Sequence, residues 1–134
     1  SESPGEISAV CSRPGNLNGK YCGPDLFQRR FYYNSTSQKC MLFIPLKCGS
    51  TEGNNFATRV DCYKACKPTS PCLTPRLGHQ SANISGYTYY PTSDMCVRAK
   101  FRAIRKMWPD VNKFLDSNQC QDECAPQVYI PRTG

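Results

Sequence analysis

Histidine is nearly absent from this chain of 134 residues: it occurs once, as His79, and tryptophan also once, as Trp108. With a lone imidazole and no further ligands at zinc spacing, a zinc reading of the two Cys-x3-Cys pairs is weak. The single histidine also leaves no base legible beside a serine or cysteine nucleophile, so no catalytic constellation is visible and an enzyme is not expected. No metal and no cofactor are implied. Acidic residues are few, 10 against 17 lysines and arginines, for a formal net charge of +7. No apolar run is long enough to span a bilayer. The first residues lack the basic and apolar regions of a signal peptide, so the chain reads as a mature protein after signal removal. Neither a membrane nor a nucleic acid is expected as partner, and the expected state is a monomer.

Cysteine is what the chain has in abundance. Ten cysteines form a set of six, Cys11, Cys22, Cys40, Cys48, Cys62 and Cys66, followed by a set of four, Cys72, Cys96, Cys120 and Cys124. Both sets close on the same Cys-x3-Cys, so an internal repeat shows before any other residue is read. An even count in a short chain fits full pairing in an oxidising compartment and places the protein outside the cell. The sequons at Asn34 and Asn83 agree with secretion. Spacing alone leaves the pairing open, since six cysteines allow fifteen connectivities and four allow three.

The repeat divides the chain into a flexible segment 1–10, a unit 11–66, a Pro-bounded linker 67–71, a second unit 72–124 and a flexible tail 125–134. In the first unit, residues 26–34 and 40–44 read as the strands of a hairpin. Thr58 followed by Asp61 marks a helix start, and Cys62 and Cys66 then share a helix face. The second unit repeats the plan, with strands 86–90 and 96–103 and a helix start at Asp116 with Gln119. Its charge is uneven. Between positions 98 and 113, Arg98, Lys100, Arg102, Arg105, Lys106 and Lys113 are opposed by one acid, Asp110. A sulfated glycan or an acidic protein surface would be drawn there; a solvated strand face is the plainer reading.

These spacings, with Phe31-Tyr32-Tyr33-Asn34, Phe43 and Asn54-Asn55-Phe56 at fixed distances from the cysteines, make the first unit resemble a Kunitz-type domain. It carries two extra residues in each of the first two gaps between cysteines and one in the fourth. Tyr89-Tyr90, Phe101 and Asn112-Lys113-Phe114 make the second unit resemble the same domain without its second and fourth cysteines. The resemblance implies a small disulfide-rich α+β fold of two tandem Kunitz (pancreatic trypsin inhibitor-like) units, the second lacking one disulfide. It implies the pairs Cys11–Cys66, Cys22–Cys48, Cys40–Cys62, Cys72–Cys124 and Cys96–Cys120.

In that family the residue after the second cysteine enters a protease's specificity pocket. Here that residue is Gly23, followed by Pro24, Asp25, Leu26 and Phe27, with Leu46-Lys47 in the partner loop. No alignment puts a basic residue in the pocket, so generic trypsin inhibition is not expected. In the second unit Ser81 and Ile104 stand where the loop cysteines would be, and Ala82 takes the specificity position. A glycan on Asn83 would block a cleft. That unit is expected to grip a surface through Arg98, Lys100 and Arg102, or through Trp108, for which a core position is the rival reading.

One regular and one reduced unit resemble the salivary double-Kunitz anticoagulants of ticks, the ixolaris type, similar in role to tissue factor pathway inhibitor. That resemblance implies inhibition of factor VIIa bound to tissue factor, with factor X or Xa as scaffold. The scaffold contact in that class uses a basic exosite, which Asp116, Asp122 and Glu123 would have to face. An ion-channel or receptor ligand on the same scaffold is the alternative.

Overall fold

A computed structural model describes residues 7–20, 28–102 and 106–126. Among these, the contacts divide the chain into two compact units, 7–68 together with Pro126, and 69–125.

In the first unit a 3-10 turn, Ala9–Ser12, precedes a two-residue strand, β1 (Asn18–Gly19). The hairpin follows as β2 (Arg30–Asn34) and β3 (Lys39–Phe43), then β4 (Lys47–Cys48) and α1 (Arg59–Cys66). The hairpin is antiparallel, with Phe31 opposite Leu42 and Tyr33 opposite Cys40. Its turn is set by Asn34, whose Oδ1 accepts the amides of Thr36 and Ser37 at 2.9 and 3.2 Å. Local side-chain acceptors of this kind favour turns over continued strand. Thr58 caps α1, accepting the amide of Asp61 at 3.0 Å. The segment expected to be frayed over 1–10 is anchored from Ser8, whose amide donates to the carbonyl of Ala65 at 2.9 Å.

Helix and hairpin meet over Phe31, Leu42, Phe43 and Tyr63, all buried. Disulfides Cys40–Cys62 and Cys11–Cys66 fasten the helix to the hairpin and to the N-terminal turn. In a unit with so small a core, each such bond contributes about 2–5 kcal/mol. Cys48 is also oxidised; Cys22 lies outside the described residues. Two polar groups belong to this core. Asn54, 1% exposed, donates to the carbonyls of Arg13 and Tyr33 and accepts the Tyr33 amide, at 3.0, 2.8 and 2.8 Å. Arg59, 2% exposed, lies 5.0 Å over the Phe31 ring and donates to the Cys40 carbonyl at 2.7 Å. A charge is buried only when it is held by acceptors and a π face. Arg59→Met, which keeps the volume and removes the donors, is therefore expected to lower stability by about 1.5–3 kcal/mol in denaturant unfolding.

The second unit starts on a 3-10 turn, Pro71–Leu73, capped by Ser70. Its hairpin is β5 (Ile84–Tyr90) and β6 (Met95–Phe101), followed by α2 (Ser117–Cys124). The hairpin is longer than the expected strands at its N-terminal side. Asp116 caps α2 through the amide of Asn118 at 3.0 Å, one residue earlier than the Gln119 read from sequence. Ala125, placed in the flexible tail by sequence, is fully buried and its amide bonds the Gln121 carbonyl at 2.9 Å.

The internal logic repeats. Asn112 binds both the amide and the carbonyl of Tyr89 at 2.8 Å, as Asn54 does with Tyr33. Tyr87 and Phe114 exchange backbone bonds as Phe31 and Phe56 do. The disulfides are Cys72–Cys124 and Cys96–Cys120.

Candidate protease-contact edge and basic face

The short parallel pairing of β1 with β4 puts Asn18 beside Lys47 and Gly19 beside Cys48. The Gly49 amide extends it, donating to Gly19 at 3.0 Å. Gly19 is buried against Pro45 and Gln28; a Cβ there would stand 2.9 and 2.7 Å from them. Immediately beyond it, the Lys20 amide donates to Gln28 Oε1 at 2.8 Å. The two residues flanking 21–27 are thus tied to each other, next to Gly19, which pairs with the β4 edge. Gly23, Pro24, Asp25, Leu26 and Phe27 lie outside the described residues. Leu46 lies beside that base, 38% exposed, with Lys47 and Cys48 also exposed.

Asn55 locks this edge from behind. Its amide nitrogen donates to the carbonyls of Asn16 and Asn18 at 2.6 and 2.8 Å, and its oxygen accepts Arg30 Nε at 2.7 Å. Asn16 in turn donates to the carbonyls of Ser50 and Glu52. Ordering built into the scaffold lowers the entropic cost of binding a partner. Partial burial pushes the Tyr33 hydroxyl above its ordinary value of 10.0, so it stays neutral at physiological pH.

The second unit presents a different surface. Arg98, Lys100 and Arg102 are exposed and alternate with buried Ala99 and Phe101. Lys106 is exposed as well; Arg105 and Ile104 lie outside the described residues. Trp108 is neither free nor sealed in the core. It is half-buried and stacks on Phe114, ring centroids 5.1 Å apart. Lys113 stands where the first unit has its second asparagine, and its ammonium lies 4.8 Å over the Phe101 ring.

The acidic candidates sit on or beside α2. Asp116 spends one carboxylate oxygen on the helix cap, Asp122 is exposed and Glu123 is half-buried. Ala82 is buried, 6% exposed, its amide bonded to the His79 carbonyl, so it is not displayed. Asn83 is exposed and Asn34 half-buried in its turn. Among the described residues, no group of three or more His, Cys, Asp or Glu could hold a metal ion. No described helix is long and apolar enough to cross a membrane.

Sequence reasoning missed Arg76 and His79. Gly78, between them in sequence, pairs with Lys100 and brings both residues to the edge of β6. The only sequence signal was that glycine, whose φ of 76° lies in the left-handed region.

Residues 10–67 match the Kunitz/bovine pancreatic trypsin inhibitor domain. The chain is 29% identical over 123 residues to Kunitz-type serine protease inhibitor bitisilin-3 of Bitis gabonica, covering 90% of this chain and 74% of that protein. It is 31% identical over 97 residues to U13-hexatoxin-Hi1a of Hadronyche infensa, covering 69% of this chain and 75% of that one. Anticoagulant protein rhipilin-2 of Rhipicephalus haemaphysaloides is 28% identical over 112 residues, 75% of this chain and 54% of its own length. The NMR structure of ixolaris, determined together with its factor X interaction, covers 81% of this chain and 92% of its own at 21% identity, with a TM-score of 0.34. Superposition that loose carries no argument about mechanism. The cysteine framework, the asparagine staples and the relatives agree: the chain belongs to the Kunitz/bovine pancreatic trypsin inhibitor family.

Proposed function

We propose that this chain is a secreted Kunitz-type serine protease inhibitor with anticoagulant action, built from two tandem units of which the second lacks the loop disulfide. Its target is the factor VIIa–tissue factor complex, with factor X or Xa as scaffold. The observation that carries the inhibitor reading is the tied base of the first unit's loop, where Lys20 and Gln28 are bonded to each other beside exposed Leu46. Likeness to bitisilin-3 and to the anticoagulant rhipilin-2 supports it. Gly23 and Asp25 offer a trypsin-like pocket no cation, so the loop serves a selective contact.

The test is a pair of assays. The protein should prolong plasma clotting started by tissue factor while leaving trypsin free to cleave a small substrate. Stoichiometric trypsin inhibition would overturn the altered-loop reading, and an unchanged clotting time the anticoagulant one.

In the resembled class the scaffold exosite is basic, which favours the α2 side of the second unit over its basic face. Asp122→Lys is then expected to weaken factor X binding by roughly tenfold at low salt, the difference shrinking as salt rises. Surface plasmon resonance across a salt series reads it; an unchanged affinity at low salt removes α2 from the contact. The ion-channel or receptor ligand remains a second reading, favoured by the likeness to a hexatoxin.

A further inference from the structure

We infer that the second unit carries a binding trough for a sulfated polysaccharide chain, at a site separate from the protease contacts proposed above. Gly78 forms a parallel bridge with Lys100, and the His79 amide donates to the Lys100 carbonyl at 3.0 Å. A Cβ at position 78 would stand 1.7 Å from that carbonyl oxygen, so only glycine permits the approach. This pairing sets Arg76 and His79 alongside β6, whose own exposed cations are Arg98 and Lys100, with Arg102 one residue beyond its end.

Two open grooves result, of about 650 and 520 Å³, and they share Leu77, His79 and Lys100. They form one trough running past Lys100. Arg98 lines the first part; Arg76, Arg102 and Lys113 line the second. Among the described residues, neither wall contains an aspartate or glutamate. Among the described residues no carboxylate pairs with Arg76, Arg98, Lys100 or Arg102. Over positions 71–109 the sequence has one acid, Asp94. Its carboxylate accepts the Tyr89 hydroxyl at 2.5 Å, near the hairpin turn.

The geometry selects the class of ligand. Strand spacing sets Arg98 and Lys100 on one face roughly 6.7 Å apart, and Arg102 follows just past the end of the strand. All are exposed, so no single compact anion is enclosed. A row of open cations along a shallow trough suits an extended, densely charged chain. The first groove is lined by the small residues Ser85, Gly86 and Ala99 together with Tyr87 and the exposed Leu77 and Leu115, an open surface on which sugar rings can lie between the cations. Trp108, the natural candidate for the anchor of a protein contact, is stacked on Phe114. Gln80, Ser85 and His79 offer hydrogen-bonding groups to sugar hydroxyls along the same wall.

The test uses no protease, so its failure and that of the inhibitor reading are distinguishable. A heparin dodecasaccharide is titrated into the intact, oxidised protein by calorimetry at physiological salt and at rising salt. Saturable, salt-weakened binding is expected, with chemically desulfated heparin not bound. Arg98→Gln/Lys100→Gln/Arg102→Gln should weaken binding roughly ten- to hundredfold. Arg76→Gln alone should weaken it about threefold and decides the matter if the triple variant fails to fold. Arg13→Gln/Lys20→Gln/Lys64→Gln, an equal charge loss in the first unit, should bind within about twofold of the unaltered chain. Absence of heparin binding would overturn the assignment. So would an equal loss in the first-unit variant, equal binding of phosphatidylserine vesicles, or displacement of heparin by polyglutamate at matched charge.

Discussion

Asn54→Ala is expected to destabilise the first unit by about 3–5 kcal/mol, far more than an asparagine on a loop would suggest. The side chain is 1% exposed and makes three hydrogen bonds to backbone groups of Arg13 and Tyr33. Alanine removes all three partners at once. The Tyr33 amide and two carbonyls then lose their partner at part-buried positions, each costing about 1–3 kcal/mol where water does not replace it. The same substitution at Asn112, also 1% exposed, should act likewise on the second unit through Tyr89. Amide exchange resolves the units separately: Asn54→Ala should speed exchange in β2, β3 and α1 and leave β5, β6 and α2 unchanged. A loss below about 1 kcal/mol would mean that water enters and replaces the amide group.

Separating the units between Lys67 and Pro71 is expected to weaken inhibition of the coagulation complex by roughly two orders of magnitude or more. The proposed mechanism divides the work. The first unit brings a tied, atypical loop to a protease, while the second grips the scaffold. A short linker turns the second contact into an intramolecular event at high effective concentration. An equimolar mixture of the separated units should therefore not restore the activity of the intact chain. A first unit that inhibits as well as the whole chain would remove the second from the mechanism.

Much of the fold could be read from local patterns. The aromatic run before Asn34 and the apolar run from Cys40 mark a hairpin whichever cysteines pair. Thr58 three residues before Asp61 marks a helix start because the cap bond is local in sequence. The resemblance to the Kunitz family rested on residues such as Phe43 and Asn54, which are buried. What escaped the sequence depends on distant partners. Arg59 sits next to a cap and would ordinarily be drawn in solvent. It is buried because the Cys40 carbonyl and the Phe31 ring, far off in the chain, receive it. Lys113 gave no sign that it would cover Phe101 in place of the second asparagine staple. Arg76 joined the basic face only through the bridge between Gly78 and Lys100, distant in sequence. Alternation along β6 did reveal Arg98 and Lys100, because a half-buried strand displays every second residue, and Arg102 keeps the alternation one residue past its end.

The most direct measurement of the central claim is factor Xa generation by factor VIIa and tissue factor, followed as the intact protein is titrated in. The account predicts dose-dependent inhibition that strengthens when factor X or Xa is supplied as scaffold, with no inhibition of trypsin beside it. Full factor Xa generation at micromolar protein, with or without added scaffold, would contradict it.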